Sequence, residues 1–256
     1  MLDFLASVGR VFIAFLGASG RLTIFTLTAI SHCFRGPIYV RLVGKQMIDI
    51  GYYSLPVVGL TAIFTGMVLA LQTHTGFSRF GAESAMATVV VLSVTRELGP
   101  VIAALMVAGR IGAAIAAEIG TMRVTDQIDA LSTLSTNPMK YLVVPRILAG
   151  LVTLPLLVLV ADVIGVFGGY IVATYKLGFN PASYISNTAT NLTSADVWSG
   201  VIKAGVFGFI VALMGCYYGY HSRGGAQGVG AATTYAVVSA SVMILLFDYL
   251  LTSVLF

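Results

Sequence analysis

The sequence predicts an all-α integral membrane protein in a single domain over residues 1–256: an N-terminal interfacial helix, five transmembrane helices, and a short helix in a cytoplasmic loop. Three observations carry that prediction. Hydrophobic residues make up 58% of the chain and charged residues only 9%, whereas a typical soluble domain is about 25% charged. The apolar runs are long and continuous; a transmembrane helix needs roughly 20 such residues, and a barrel strand shows about 10 that alternate. Finally, the 14 basic residues fall mostly in the segments between those runs.

Taken in order, residues 1–21 have helical periodicity. Leu2, Leu5, Val8, Phe12 and Phe15 fall on one face, with Asp3, Ser7, Arg10, Ala14 and Arg21 opposite. That pattern describes a helix lying in the membrane interface. The continuation, Leu22 to Phe34, is too short to span alone; a tilted re-entrant hairpin or a full span carrying Arg21 are the alternatives. Residues 1–49 thus form an interfacial or elbow region, and 50–256 a five-helix membrane domain. The expected spans are about Gly51–Thr73, Ala85–Ala117, Ile147–Thr174 (containing Asp162), Val197–Tyr218 (containing Lys203) and Ala231–Phe256 (containing Asp248).

Charge sets the direction. With a cytoplasmic N-terminus, Arg10, Arg21, Arg35, Arg41, Lys45, Arg110, Arg123, Lys140, Arg146 and Arg223 lie inside. Arg79 and Lys176 lie outside, and Arg96 and Lys203 within the membrane, which accounts for all 14 basic residues. The C-terminus is therefore external or periplasmic. The excess of +4 is spread along the chain with no basic-aromatic cluster, so it reports topology and gives no footprint for nucleic acid. Cys33 and Cys216 are far apart and read as free thiols. The first residues carry Asp3 and Arg10 and lead to no small-residue cleavage site, so no cleavable signal peptide is expected.

Charges inside spans are costly and normally meet a partner, a cavity or water. At about 1.5 Å per residue, Arg96 lies roughly 18 Å and Lys203 about 9 Å below the outer starts of their spans, and Asp248 lies about 12 Å from the outer end of its span. Asp162 occupies the outer half of its own span. Four spans thus place charge between the outer half and the midplane. Adjacent helical residues point about 100° apart, so Arg96 and Glu97 seek different partners: Glu97 with Lys203, and Arg96 with Asp248 or Asp162. These groups are either ion pairs that hold the bundle together or the lining of a wet, outward cavity. Gly99 and Pro100 favour the cavity, because proline removes a backbone bond and kinks the helix there.

Residues 118–146, "EIGTMRVTDQIDALSTLSTNPMKYLVVPR", form the longest cytoplasmic connection. Thr125 is placed to cap a helix from Asp126 to about Leu134, with Asp126 and Asp129 at its positive end. Ile128, Leu131 and Leu134 give it an apolar stripe, and Asn137-Pro138 ends it. The helix is either a surface connector or the contact through which a cytoplasmic motor acts on the spans.

The run from Arg96 to Leu131, "RELGPVIAALMVAGRIGAAIAAEIGTMRVTDQIDAL", resembles the signature of MlaE-type permeases, the membrane subunits of lipid-transporting ABC systems associated with MCE-domain proteins. The resemblance extends to "GMVLALQ" at 66–72, "NPMKYLVVPR" at 137–146 and "FDYLLT" at 247–252. At Asp126 the family more often has Glu, a mild departure. The resemblance implies a permease subunit moving phospholipids between the inner membrane and a periplasmic MCE-protein carrier, contributing to outer-membrane lipid asymmetry. It implies a homodimer in the bacterial inner membrane, a cytoplasmic ABC ATPase that binds the ATP, and a small STAS-domain protein. The chain itself would be no enzyme and carry no cofactor. The lipid-binding cavity would use Arg96, Glu97, Lys203 and Asp248, with Leu69, Gln72, Phe77 and Phe80 from the first span and the segment just after it. ATPase coupling would fall to Thr125, Asp126, Gln127, Ile128, Asp129 and Leu131.

Other classes find less in the residues. "GPIYVRLVGKQ" at 36–46 has the wrong spacing for a P-loop and no Ser or Thr after Lys45. "GGAQGVGAATT" at 224–234 reads as a tight helix start. Ala108, Gly112, Ala116 and Gly120 permit close helix packing. His32, His74 and His221 are dispersed and support neither a metal site nor a hydrolytic triad. The competing class is an ion-gradient-driven secondary transporter of an amphipathic solute; such folds commonly carry paired repeats, which the five unlike spans lack.

Overall fold

The computed structural model describes the backbone of residues 2–36, 39–81 and 85–255, and the side chains of these residues except 2–8, 11 and 80. Among the described residues the architecture is all-helical and no strand occurs. In chain order the helices are α1 (Leu2–Cys33), α2 (Val40–Ile50), α3 (Leu55–Phe77), α4 (Met86–Val124), α5 (Gln127–Thr133), α6 (Met139–Lys176), α7 (Pro181–Asn191), α8 (Ser194–Tyr220) and α9 (Gly225–Leu255). Six stretches are long and apolar enough to cross a membrane: Phe12–Cys33, Val40–Phe77, and the whole of α4, α6, α8 and α9. The chain is a multi-pass membrane protein. The five expected spans fall on the last five stretches, and the N-terminal segment has the length and hydropathy of a sixth.

The helices overrun the expected spans. α4 holds 39 residues, about 58 Å of helix at 1.5 Å per residue, against a hydrocarbon core of about 30 Å. The excess carries the chain past the apolar layer, where polar side chains such as Glu118, Thr121 and Arg123 take over. Two short helices, α2 and α7, lie in segments where the sequence pattern predicts no element. α7 has a local cause: Asn180 accepts hydrogen bonds from the backbone N–H of Ala182 and Ser183 at 2.9 and 3.4 Å, and Pro181 fills the first helical position. An asparagine cap followed by proline is a strong helix start.

α1 is one continuous helix of 32 residues. The Leu2, Leu5 and Val8 part of its expected apolar face lies outside the described side chains, while Phe12 and Phe15 are exposed. It attaches through a stripe at i, i+3 and i+7: Leu22, Phe25 and Ala29. Phe25 packs edge-on against Tyr217 of α8, with ring centroids 5.4 Å apart.

Small residues bring α4, α6 and α8 together. A Cβ on Gly208 would overlap the Gly150 carbonyl oxygen, so the α6 and α8 backbones touch. Gly215 and Gly219 of α8 lie against the carbonyls of Gly112 and Ala116, which places the Ala108–Gly120 series on a packing face as expected. Of the segment 36–46, residues 40–46 form the first part of α2 rather than a phosphate loop, while 37 and 38 lie outside the described residues. Gly224 and Gly225, at φ 90° and 67°, make the sharp start of α9. Cys33 and Cys216 are free thiols.

The loop helix exists within one residue of expectation, but its start differs. The Thr125 hydroxyl donates back to the Thr121 carbonyl at 2.8 Å and so closes the end of α4 instead of capping α5. Asp126, at φ 58°, makes the left-handed corner between the two helices. Of the expected stripe, Ile128 is buried, Leu131 half-buried and Leu134 exposed.

Candidate functional site

The site begins with a backbone irregularity. Val94–Leu98 form a π-turn inside α4, and Arg96 and Glu97 occupy its middle. Such turns insert one extra residue into a helix and recur at functional sites. Pro100 follows immediately, and it has no N–H to offer the Arg96 carbonyl four residues back. The Lys203 ammonium fills that place, donating to Arg96 O at 3.0 Å. The expected proline break is therefore built as a π-turn whose spare carbonyl reaches another helix.

Lys203 is the centre of the arrangement, with a side chain 0% exposed. Its Nζ donates to Glu97 Oε2 at 2.6 Å and to Thr252 Oγ1 at 2.7 Å. Asp248 Oδ1 stands 3.0 Å away as an ion pair, outside hydrogen-bonding alignment. Three ammonium hydrogens thus serve four oxygens on α4 and α9. Thr252 closes the ring: its Oγ1 is 3.1 Å from Glu97 Oε1 and 2.8 Å from the Asp248 carbonyl. A fully buried ammonium is tolerable only with such complete pairing. Close approach of α8 to α4 makes it possible, since a Cβ on Gly200 would overlap the Thr95 carbonyl oxygen.

Arg96 points elsewhere, and here one expected pairing is corrected. Among the described residues it pairs with neither Asp248 nor Asp162 but with Asp196, at 2.6 Å from Nε to Oδ1. The other carboxylate oxygen of Asp196 accepts from the N–H and hydroxyl of Thr193 at 2.8 Å each, completing a capping box at the start of α8. The Asp196 side chain is 1% exposed and that of Arg96 36%, so a buried carboxylate anchors a partly exposed guanidinium. Asp248 is claimed by Lys203, and Asp162 lies against Gly99, where a Cβ would overlap Oδ1.

Of the expected cavity residues, the structure therefore joins Glu97, Lys203 and Asp248 directly and adds Arg96 through the neighbouring turn. Leu69 packs against the apolar cluster that holds Met86, Val90 and Tyr184. Gln72 is exposed and Phe77 half-buried, and the Phe80 side chain lies outside the described residues. Sequence reasoning missed Asp196 and Thr252. Each had a signal: Thr193-x-x-Asp196 is a helix-start pattern, and Thr252 follows Asp248 by one helical turn.

At the opposite end of α4, Gln127 Nε2 donates to Thr125 Oγ1 at 3.0 Å and Arg123 pairs with Asp129 at 2.7 Å. Asp126 and Asp129 are exposed, and Ile128 anchors α5 to the body. The buried Arg146 of α6 reaches Glu118 of α4 at 2.8 Å. That pair clamps the two helices that the loop connects.

The family model described as Permease MlaE matches residues 43–254, which include every member of the charged cluster. The chain belongs to the MlaE permease family. A probable ABC transporter permease protein of Rickettsia bellii is 57% identical over 256 residues, covering 100% of this chain and 99% of the relative. The intermembrane phospholipid transport system permease protein MlaE of Haemophilus influenzae is 34% identical over 257 residues, covering 100% and 98%. The chloroplastic protein TRIGALACTOSYLDIACYLGLYCEROL 1 of Arabidopsis thaliana is 37% identical over 222 residues, covering 87% of this chain and 63% of the relative. Within the MlaE family this chain is thus a permease whose polar cluster is assembled from α4, α8 and α9.

Proposed function

We propose that the chain is the permease subunit of an ABC transporter that moves phospholipids between the bacterial inner membrane and a periplasmic MCE-domain carrier, and so contributes to outer-membrane lipid asymmetry. One observation carries the reading. In an apolar bundle, Lys203 is wholly consumed by Glu97, Asp248 and Thr252, while Arg96, fixed by Asp196, keeps over a third of its side chain accessible. A guanidinium held by a carboxylate at its base is suited to a lipid phosphate, which it can meet with two parallel hydrogen bonds. The phospholipid system named for the Haemophilus influenzae relative supports that substrate.

Several further assignments belong to the same proposal. The N-terminus and the α4–α6 loop are cytoplasmic and the C-terminus periplasmic, supported by the distribution of Lys and Arg. α1 lies in the interface, supported by its exposed Phe12 and Phe15 and its single stripe of attachment. Two copies pair through α9, whose Val238, Val242, Leu245 and Tyr249 face outward. The ATP-hydrolysing subunit docks on α5, with Thr125, Asp126, Gln127 and Asp129 presented and Ile128 and Leu131 holding the helix to the body. A small STAS-domain protein accompanies the ATPase.

The test is purification in mild detergent followed by mass spectrometry of bound lipids and proteins. The proposal expects a stoichiometric ATPase and bound phospholipid, with Arg96→Gln losing the phospholipid but keeping the ATPase. Purification with no ATPase, or unchanged phospholipid on Arg96→Gln, overturns it.

A further inference from the structure

α4 contains a second π-turn, Ala108–Gly112, and Arg110 stands at its centre as Arg96 does at the centre of Val94–Leu98. The two arginines are fourteen positions apart on one helix, about 21 Å of rise. Measured along the axis, Arg110 is about 36 Å from Met86, where α4 begins. That distance carries it past a hydrocarbon core of about 30 Å and into the headgroup layer beyond.

Arg110 is held differently from Arg96, Arg146 and Lys203, each of which meets a carboxylate. Its Nη1 donates to the Ser54 hydroxyl at 2.8 Å and to the Asp49 carbonyl at 3.3 Å, both neutral oxygens. Ser54 is 1% exposed, so a buried hydroxyl just before α3 fixes the guanidinium in place. The Asp49 carbonyl lies in the last turn of α2 and shares the negative end of that helix. Closing α2 in this way occupies one nitrogen. Among the described residues, Nε and Nη2 have no partner, and no carboxylate neutralises the charge.

The Nε–Nη2 edge is one that a guanidinium offers to a phosphate as two parallel hydrogen bonds. Arg110 is exposed, and every fourth position from it toward Arg96 is accessible and apolar: Met106, Ile102 and Leu98. An exposed cation at headgroup depth, with an apolar strip leading from it toward the membrane centre, matches a phospholipid standing in one leaflet. We propose that Arg110 is a second phospholipid site, binding the phosphate of a cytoplasmic-leaflet lipid whose chains lie along Met106 and Ile102. The inference rests on the phospholipid reading given above and extends it from the Arg96 end of α4 to the other.

Photo-crosslinking of the full chain in nanodiscs tests it, with two probes that carry the same diazirine beside the glycerol backbone: phosphatidylglycerol, and diacylglycerol, which lacks the phosphate. Phosphatidylglycerol is expected to label residues 105–114 well above diacylglycerol. Arg110→Gln should lower that labelling roughly tenfold, the effect of losing a charge-assisted contact, and leave labelling at residues 92–98 in place. Gly109 has open space where a side chain would go, so Gly109→Trp crowds the exposed side of Arg110 without removing its bonds to Ser54 and Asp49. It should cut labelling at 105–114 as well, which keeps the test valid if Arg110→Gln fails to fold. Equal labelling by the two probes would mean annular lipid only and overturns the proposal. So does labelling indifferent to both substitutions while Arg110→Gln melts earlier, since Arg110 would then serve only to close α2. Phosphatidylglycerol captured at 92–98 but not at 105–114 sinks this inference alone, and capture at neither sinks the phospholipid reading with it.

Discussion

Asp196 holds Arg96 at 2.6 Å with one carboxylate oxygen and the first turn of α8 with the other. A single buried carboxylate therefore fixes both a helix start and the only described cation of the cluster that is substantially accessible. Replacing Asp196 with Asn keeps its shape but removes the charge from both bonds. Hydrogen bonds to charged groups contribute about 1.5–3 kcal/mol, so Asp196→Asn should lower thermal stability by about that much. Lipid transport in proteoliposomes should fall as Arg96 loses its fixed orientation, with ATPase association intact. Normal transport in a destabilised Asp196→Asn protein would reduce the bond to a structural role.

Lys203 gives the sharpest stability prediction. Removing one partner from a buried pair strands the other and costs about 3–5 kcal/mol, whereas replacing all partners with neutral groups can be nearly neutral. Lys203→Met should therefore be severely destabilising, and the triple variant with Glu97→Gln and Asp248→Asn should recover most of the loss. Thermal unfolding of the detergent-solubilised proteins reads the difference. A triple variant no more stable than the single one would contradict the ring of contacts around Lys203.

Two glycines in helices should respond in opposite directions. Gly200→Ala forces a Cβ onto the Thr95 carbonyl oxygen, and overpacking of that kind costs about 1–3 kcal/mol. Gly44 in α2 has open space where its Cβ would go, so Gly44→Ala should stabilise by up to about 1 kcal/mol. The same melting experiment decides both, and equal shifts would show that the close approach of α8 to α4 is not what matters at Gly200.

At the loop, the exposed Arg123–Asp129 pair should contribute less than about 1 kcal/mol to stability, so Asp129→Ala should melt like the parent. If α5 is the ATPase contact, deleting residues 125–134 should abolish copurification of the ATPase, and Asp129→Ala should weaken it. Full ATPase binding after the deletion removes the coupling role from α5.

Much of the cluster was legible because charge inside apolar sequence is conspicuous. Arg96, Glu97, Lys203 and Asp248 stand out against long uncharged runs, and helical rise alone puts them near one depth. Asp196 escaped for the opposite reason: it sits at the edge of a run, where a charge looks like loop, although its capping box makes it helix. α2 and α7 escaped because short helices of mixed polarity give neither a span nor a clear stripe. At α5 the helix was legible from Ile128 and Leu131, but not its first residue, since Thr125 had a competing bond to Thr121 one turn back. Phe25 and Ala29 show the same limit in α1, where the face that packs on α8 lies beyond the part of the helix with the clearest periodicity.

The π-turn at Val94–Leu98 has a companion at Ala108–Gly112 in the same helix. Each extra residue turns everything beyond it by about 100° around the helix axis. The faces of α4 that meet Tyr184, Lys203 and Gly215 are therefore out of phase with one another, and no single helical wheel can describe them. A one-residue deletion within either turn would restore an ordinary helix and aim a whole segment of α4 at the wrong neighbour, while leaving its composition nearly unchanged.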